Sequence, residues 1–197
     1  MAISHIKLDL KVNIKPLKTV LARNSDLFGK IPYRKTAPNS PHREMEDIWV
    51  RFNDVTGFER SGDFSKIVDE HESIWYEMDI LPEVKTICND IMNYCDGSRL
   101  GGVLITRLPS GKNIYPHNDK GWHAEYYQKY YIPIVNTVGS SFYFEDGDIK
   151  DPTEGDVWFF DNSFTHWVKN ESDTDRIALI VCLKTDFKLG VTTCHTQ

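Results

Sequence analysis

Apolar and polar residues alternate near the start of the chain: Ile6, Leu8, Leu10, Val12 and Ile14 are separated by Lys7, Asp9, Lys11 and Asn13. A period of two sends successive side chains to opposite faces, so this segment predicts a strand with one wet face. Pro16 then suits the first turn of a helix carrying Leu17, Val20 and Leu21. Residues 29–46 hold prolines, glycine and several basic residues without any period, and predict a long loop of a kind that is often functional in compact domains. Asp47 to Phe52 predicts a strand, and residues 63–80 a helix or turn. The clearest helix runs from Pro82 to Cys95, where Val84, Ile87, Cys88, Ile91, Met92 and Cys95 form one apolar stripe before a stop at Gly97.

From Leu100 onward nearly every signal is strand: 101–108, 113–117, 128–135, 140–145, 156–160, 164–169 and 175–184. Turn chemistry separates them, at Pro109-Ser110-Gly111, Asp146-Gly147-Asp148, Glu154-Gly155-Asp156 and Glu171-Ser172-Asp173. Many short strands behind a more helical N-terminal half predict a mainly β fold with N-terminal helices, a double-stranded β-helix or jelly roll of the cupin-like kind. A length of 197 residues fits a single domain. Within it, residues 1–99 would form a mixed α/β support, 100–186 the jelly-roll core and 187–197 a tail that includes Cys194 and His195.

The net charge of −6 argues against a broad nucleic-acid footprint. The four cysteines form no CxxC pair, which points to packing in a reducing compartment and not to a disulfide framework. No apolar run is long enough to span a membrane, and the N-terminus has no apolar leader, so the expected location is cytoplasmic.

Candidate chemistry is concentrated in His117-Asn118-Asp119, His166 and Arg176. At the end of a strand, His117 and Asp119 point to the same side while Asn118 turns away. His166 must come from another strand, and opposing strands of a jelly roll would bring it to the same metal across the barrel mouth. Two imidazoles and one carboxylate suit iron(II), manganese or zinc and leave positions open for other ligands. Arg176 opens the apolar strand Arg176-Ile177-Ala178-Leu179-Ile180-Val181. There a guanidinium can hold a carboxylate with two hydrogen bonds. Together these residues point to an oxygenase using iron(II), O2 and 2-oxoglutarate. Trp122 and His123, in a glycine-containing loop, and Asn162 are candidates for the substrate rim. Arg34, Lys35, His42 and Arg43 could meet an acidic substrate or partner, or simply form a solvated loop.

Two blocks resemble the aspartyl/asparaginyl β-hydroxylases and their bacterial proline-hydroxylase-like relatives, over roughly residues 100–186. The first runs from Thr106 to His117, with a glycine turn at Gly111 and the Pro116-His117 step. The second runs from Gly155 to His166 and differs from the family's Phe-Asp-Asp-Ser-Phe-x-His by Asn162 in place of an aspartate. The ten-residue step from His166 to Arg176 is kept as well. The resemblance implies that His117 and His166 bind iron(II), that Arg176 and Thr106 hold the distal carboxylate of 2-oxoglutarate, and that Lys129 and Tyr131 stand where the family has an arginine and a histidine for the near carboxylate. Asp119 replaces the glycine of the animal enzyme, restores a full triad as in the proline-hydroxylase-like relatives, and argues against a halogenase. The implied activity is hydroxylation of an unactivated C–H bond on an amino-acid side chain, in a small molecule or a peptide (Asp, Asn or Pro), with conversion of 2-oxoglutarate to succinate and CO2. Two other readings stay open: a cupin-like metal enzyme that does not use 2-oxoglutarate, and a non-catalytic jelly-roll binding module.

Overall fold

A computed structural model of the chain describes residues 3–66 and 73–185; Cys194, His195 and the rest of the expected tail lie outside the described residues. The N-terminal half supplies strand β1 (His5–Lys11), helices α1 (Lys15–Arg23) and α2 (Tyr33–Thr36), strand β2 (Glu46–Phe52), helix α3 (Thr56–Ser61), the short strand β3 (Ile74–Trp75) and helix α4 (Glu83–Tyr94). Strands β4 (Arg99–Leu108), β5 (Asn113–His117), β6 (Gln128–Val135), β7 (Ser140–Phe144), β8 (Gly147–Ile149), β9 (Asp156–Phe160), β10 (His166–Asn170) and β11 (Arg176–Lys184) follow, with helix α5 (Trp122–Tyr126) between β5 and β6. The strands form an antiparallel sheet of order β1-β9-β6-β11-β4-β2-β3 and a smaller one of order β5-β10-β7-β8. This is the jelly roll expected from the strand pattern. The N-terminal half is more than a support, because β1, β2 and β3 are part of the larger sheet.

The larger sheet is covered on both faces. Leu179, Val181 and Leu183 of β11, with Val103 and Ile105 of β4 and Tyr130 and Ile132 of β6, pack against Leu17 and Leu21 of α1 and Val84, Ile87, Cys88 and Ile91 of α4. The intervening residues face inward, where Leu108, Tyr131, Phe160 and Ala178 meet Ile114, Phe142, Phe144 and Val168 of the smaller sheet. A strand buried on both sides loses its polar–apolar alternation. Alternation then survives as function, since Lys129 and Tyr131 of β6 and Arg176, Ile180 and Cys182 of β11 all border one internal cavity. The edge strand β1 carries Lys7 and Lys11, both paired with the buried Asp156 of its neighbour at 2.6 and 3.7 Å, and edge lysines discourage pairing with another chain.

Residues 29–46 do not form a plain loop. Helix α2 lies within them, and Tyr33 packs edge-on against Trp49 and Phe58. The Pro41 carbonyl accepts the Tyr115 amide at 3.0 Å, and the Glu44 carboxylate accepts that of Asn113 at 2.9 Å. The segment therefore covers the free edge of β5, while Arg43 stacks on the Tyr115 ring.

Gly102 of β4 faces the ring of Phe52, and a Cβ there would lie 2.6 Å from Phe52 Cδ2. Gly102→Ala is expected to lower stability by roughly 1–3 kcal/mol, the usual cost of forcing extra volume into a packed site. A shift in the urea midpoint measures it; an unchanged midpoint would mean that the Phe52 ring moves freely.

Candidate metal centre

His117 ends β5 and His166 begins β10, and the two are direct register partners in the smaller sheet. The histidines are therefore neighbours on adjacent strands of one sheet, not residues facing each other from opposing strands as the sequence suggested. Cross-strand partners sit only about 5 Å apart, so the register alone brings the imidazoles together. Their ring centroids are 4.4 Å apart. Asp119 lies two residues past β5, where its amide donates to the Asn162 carbonyl at 3.0 Å. Its carboxylate oxygens lie 3.8 Å from His117 Nε2 and 3.9 Å from His166 Nε2, and the donor atoms of all three residues fall within 4.8 Å of one another.

Both imidazoles are oriented by the same device. His117 Nδ1 donates to the Tyr115 carbonyl at 2.7 Å, and His166 Nδ1 to the Phe164 carbonyl at 2.9 Å. An Nδ1 proton committed to a carbonyl leaves the Nε2 lone pair free for a metal, the usual arrangement of metal-binding histidines. Burial lowers the pKa of His117 and lowers that of His166 to about 4, the latter with help from His117. Burial opposes ionisation of Asp119, but Lys129 and the two imidazoles outweigh it and its pKa is lowered. The donor set thus consists of two neutral nitrogens and a carboxylate, which suits iron(II).

The three residues border a cavity of about 310 Å3. Thr106, Lys129, Tyr131 and Arg176 of the larger sheet also line it. Arg176 is 3% exposed. Its guanidinium lies 5.0 Å from the Tyr131 ring centroid, its Nε makes no hydrogen bond, and no carboxylate pairs with it among the described residues. A buried cation without a counter-ion is costly, and a bound carboxylate is the natural remedy. The Thr106 hydroxyl reaches only the Ala178 carbonyl, at 3.5 Å. Lys129 forms an ion pair with Asp119, so it touches the candidate metal ligand itself.

The other sequence candidates divide. His123 lines the cavity, but it sits with Trp122 on helix α5 and not in a loop, and Trp122 is absent from the lining. Asn162 lies outside this cavity; its side-chain amide donates to the Ala124 carbonyl at 3.2 Å and ties α5 to the turn that holds Asp119. Of the four charged residues singled out in the 29–46 segment, Arg34 and His42 line the cavity and Lys35 and Arg43 do not. Arg34 Nη1 reaches Asp47 Oδ1 at 3.3 Å, and Nη2 lies 2.9 Å from His42 Nε2. His42 meets His117 edge-on at 4.7 Å. Asp47 is buried beside Thr106 in the sheet register, and burial, opposed by Arg34, raises its pKa to about 6.

A pH dependence follows for the metal-free protein. His166 has a folded pKa near 4 against an ordinary 6.5, so between those values the unfolded chain binds the proton that the folded site refuses. Stability conferred by the neutral histidine is present above pH 6.5 and lost as pH falls toward 4. Asp47 works in the opposite sense between 3.8 and 6. We expect His166→Asn to flatten the fall of the denaturation midpoint below pH 6.5, measured with a chelator present, and Asp47→Asn to steepen it. Parallel pH profiles for wild type and both variants would overturn these assignments.

A jelly roll with two imidazoles and one carboxylate lining the same cavity as a buried arginine that has no carboxylate partner among the described residues defines the class of iron(II)- and 2-oxoglutarate-dependent oxygenases. The model of the family described as aspartyl/asparaginyl beta-hydroxylase matches residues 64–185. The chain belongs to that family. It is accordingly a dioxygenase, and iron(II), 2-oxoglutarate and O2 are its cofactor set. No curated protein sequence matches the chain. Among solved structures it is similar to a prolyl hydroxylase from Trichoplax adhaerens in complex with a hypoxia inducible factor peptide fragment, at 13% identity, TM-score 0.53, and coverage of 92% of this chain and 84% of that one. It is also similar to the viral collagen prolyl hydroxylase of Paramecium Bursaria Chlorella virus-1 in its 2-oxoglutarate complex, at 15% identity, TM-score 0.52, and coverage of 93% and 97%. These likenesses establish the fold. No helix among the described residues is long and apolar enough to cross a membrane.

Proposed function

We propose that the chain hydroxylates an unactivated C–H bond of an amino-acid side chain, free or in a peptide, with His117, Asp119 and His166 holding iron(II) and Arg176 holding the distal carboxylate of 2-oxoglutarate. The observation that carries this reading is the pairing of the three converging donors with the one buried arginine that has no carboxylate partner among the described residues. When bound, the iron and 2-oxoglutarate together supply the oxidation: O2 is consumed, one oxygen atom enters the substrate C–H bond, and the other enters succinate as CO2 leaves.

The protein's own part is positional. The Tyr115 and Phe164 carbonyls fix the two imidazoles in the ligating tautomer. Lys129 keeps Asp119 ionised and turned toward them. Arg176 of β11 and Thr106 of the neighbouring β4, which pairs with Ala178 two residues along, both line the cavity, where they would grip the far end of the co-substrate and fix its keto-acid end at the metal. Phe142, Phe144 and Phe160 surround His166, at centroid distances of 5.7, 6.1 and 5.6 Å, and exclude water from that side. Lys129, in contact with Asp119, would help with the near carboxylate as a point charge and not as a fork, and Tyr131 lines the same cavity beside Arg176.

The test is an anaerobic titration of the iron(II)-loaded protein with 2-oxoglutarate, following the visible metal-to-ligand charge-transfer band. Wild type should develop the band, and His166→Ala should bind neither iron nor co-substrate. Iron bound without a band would favour a metal enzyme that does not use 2-oxoglutarate. No iron bound at all would favour a binding module.

A further inference from the structure

The cavity is far more cationic than the chain around it. Arg34, Lys120, Lys129 and Arg176 line it against the single carboxylate of Asp119, in a protein whose net charge is −6. Asp47, buried behind Arg34, reduces the surplus by one. Iron(II) and the 2-oxoglutarate dianion cancel each other, so loading the site leaves the surplus in place. Buried positive charge in a low-dielectric pocket is unfavourable unless an anion completes it.

Each cation can be given its partner. Lys129 is taken by Asp119, Arg176 is assigned to the co-substrate, and Lys120 is exposed at the rim. Arg34 pairs with Asp47, but with a side chain that is 23% exposed it lies nearer the mouth than Arg176. Its contacts with Asp47, at 3.3 and 3.5 Å, are long for a charge-assisted hydrogen bond. Asp47 thus anchors the guanidinium without saturating its five donors. The positioning is built: α2 packs on Trp49 and Phe58, and the Ser40 hydroxyl bridges the Arg34 carbonyl and the His42 amide. His42 then lies between Arg34 and His117, so a group held by this pair is one side chain away from the metal ligands.

Building on the reading above, we propose that Arg34 and His42 form the substrate-recognition site, and that it takes a carboxylate. Arg34 supplies the matching charge and the N–H donors not spent on Asp47 and His42, and His42 a hydrogen bond beside them. Two sources offer that chemistry: the α-carboxylate of a free amino acid, and the side chain of Asp or Glu within a peptide. A neutral peptide residue offers Arg34 nothing.

The experiment uses full-length protein loaded with zinc(II) and 2-oxoglutarate, so that binding is read by calorimetry without turnover. The probes are the free L-amino acids, their primary amides, and capped tripeptides Ac-Gly-X-Gly-NH2 with X as Asp, Glu, Asn or Pro. Binding is expected only for carboxylate-bearing probes. Free acids bind if the α-carboxylate is the anchor, and only the Asp or Glu peptides if the side chain is. Converting the best probe to its amide should weaken it about 30-fold or more, as should Arg34→Gln, as expected for truncating a desolvated charge pair. Because Arg34→Gln strands Asp47, the double variant Arg34→Gln/Asp47→Asn removes both charges and should show the same loss. The 2-oxoglutarate midpoint should stay within about 3-fold in both variants, since Arg176 is untouched. Amides or neutral peptides binding as well as acids would overturn the proposal. So would acids that bind the Arg34 variants undiminished, or no acid binding at all while 2-oxoglutarate still binds. Loss of 2-oxoglutarate binding in wild type would be the failure of the underlying reading instead, and the proposal would fall with it.

Discussion

Arg176→Met is expected to raise the 2-oxoglutarate concentration needed for half-saturation by about a hundredfold or more, leaving iron binding nearly unchanged. Truncating one side of a buried charge pair costs roughly 2–5 kcal/mol, and tenfold in affinity is about 1.4 kcal/mol. The same variant should not destabilise the metal-free, co-substrate-free protein, and should even stabilise it. Arg176 is 3% exposed with an unpaired Nε, so without a bound carboxylate the fold carries an uncompensated cation, and a methionine of similar length removes that burden. A structural arginine behaves in the opposite way, because its loss lowers the denaturation midpoint and leaves ligand affinity alone. Chemical denaturation with chelator and the anaerobic titration, run on one preparation, separate the two roles. A midpoint that falls while the 2-oxoglutarate requirement stays put would remove Arg176 from the co-substrate site.

Legibility in the sequence followed the number of residues over which a pattern could repeat. Helix α4 lies where its period places it, and the long strands β4, β6 and β11 where their apolar runs and flanking turn residues place them, because each signal extends over eight or more residues. Strand β8, three residues long inside what reads as a turn, and strand β3, two residues long, are too short to display a period. Helix α5 was hidden for the same reason, at five residues directly after Gly121, a residue that reads as a break. The triad was legible because a strand-end histidine and an aspartate two residues on share a face. The cross-strand register of His117 with His166 was not, since pairing partners are set by the whole sheet. Arg34 and His42 were legible as charged residues of a candidate binding loop, but their place at the cavity was not, for it depends on Tyr33 finding Trp49 and on Pro41 finding Tyr115. Tertiary contacts of that kind leave no local trace.

Asp119 and Lys129 give the second large effect, and it is a coupled one. Asp119→Gly reproduces the two-histidine pattern implied by the resemblance to the animal enzyme, yet in this chain it should abolish useful iron binding. The loss is more than one ligand, because the ion-pair partner of Asp119 is Lys129. With the carboxylate gone, an ammonium with only 18% of its side chain exposed is left facing two imidazoles and an incoming dication, and like charges in a partly buried site repel strongly. One ligand of a protein-held divalent metal contributes on the order of 3 kcal/mol, about a hundredfold, and the uncompensated lysine charge adds to that. Asp119→Gly/Lys129→Met should therefore recover about tenfold of the lost affinity, although Lys129→Met alone weakens binding by loosening Asp119. That reversal of sign is the signature of direct coupling in a double-mutant cycle. Iron(II) or zinc(II) competition against a chromophoric chelator measures all four corners. If Lys129→Met weakens metal binding equally with and without Asp119, the lysine acts elsewhere in the cavity and the ion pair has no part in holding the metal.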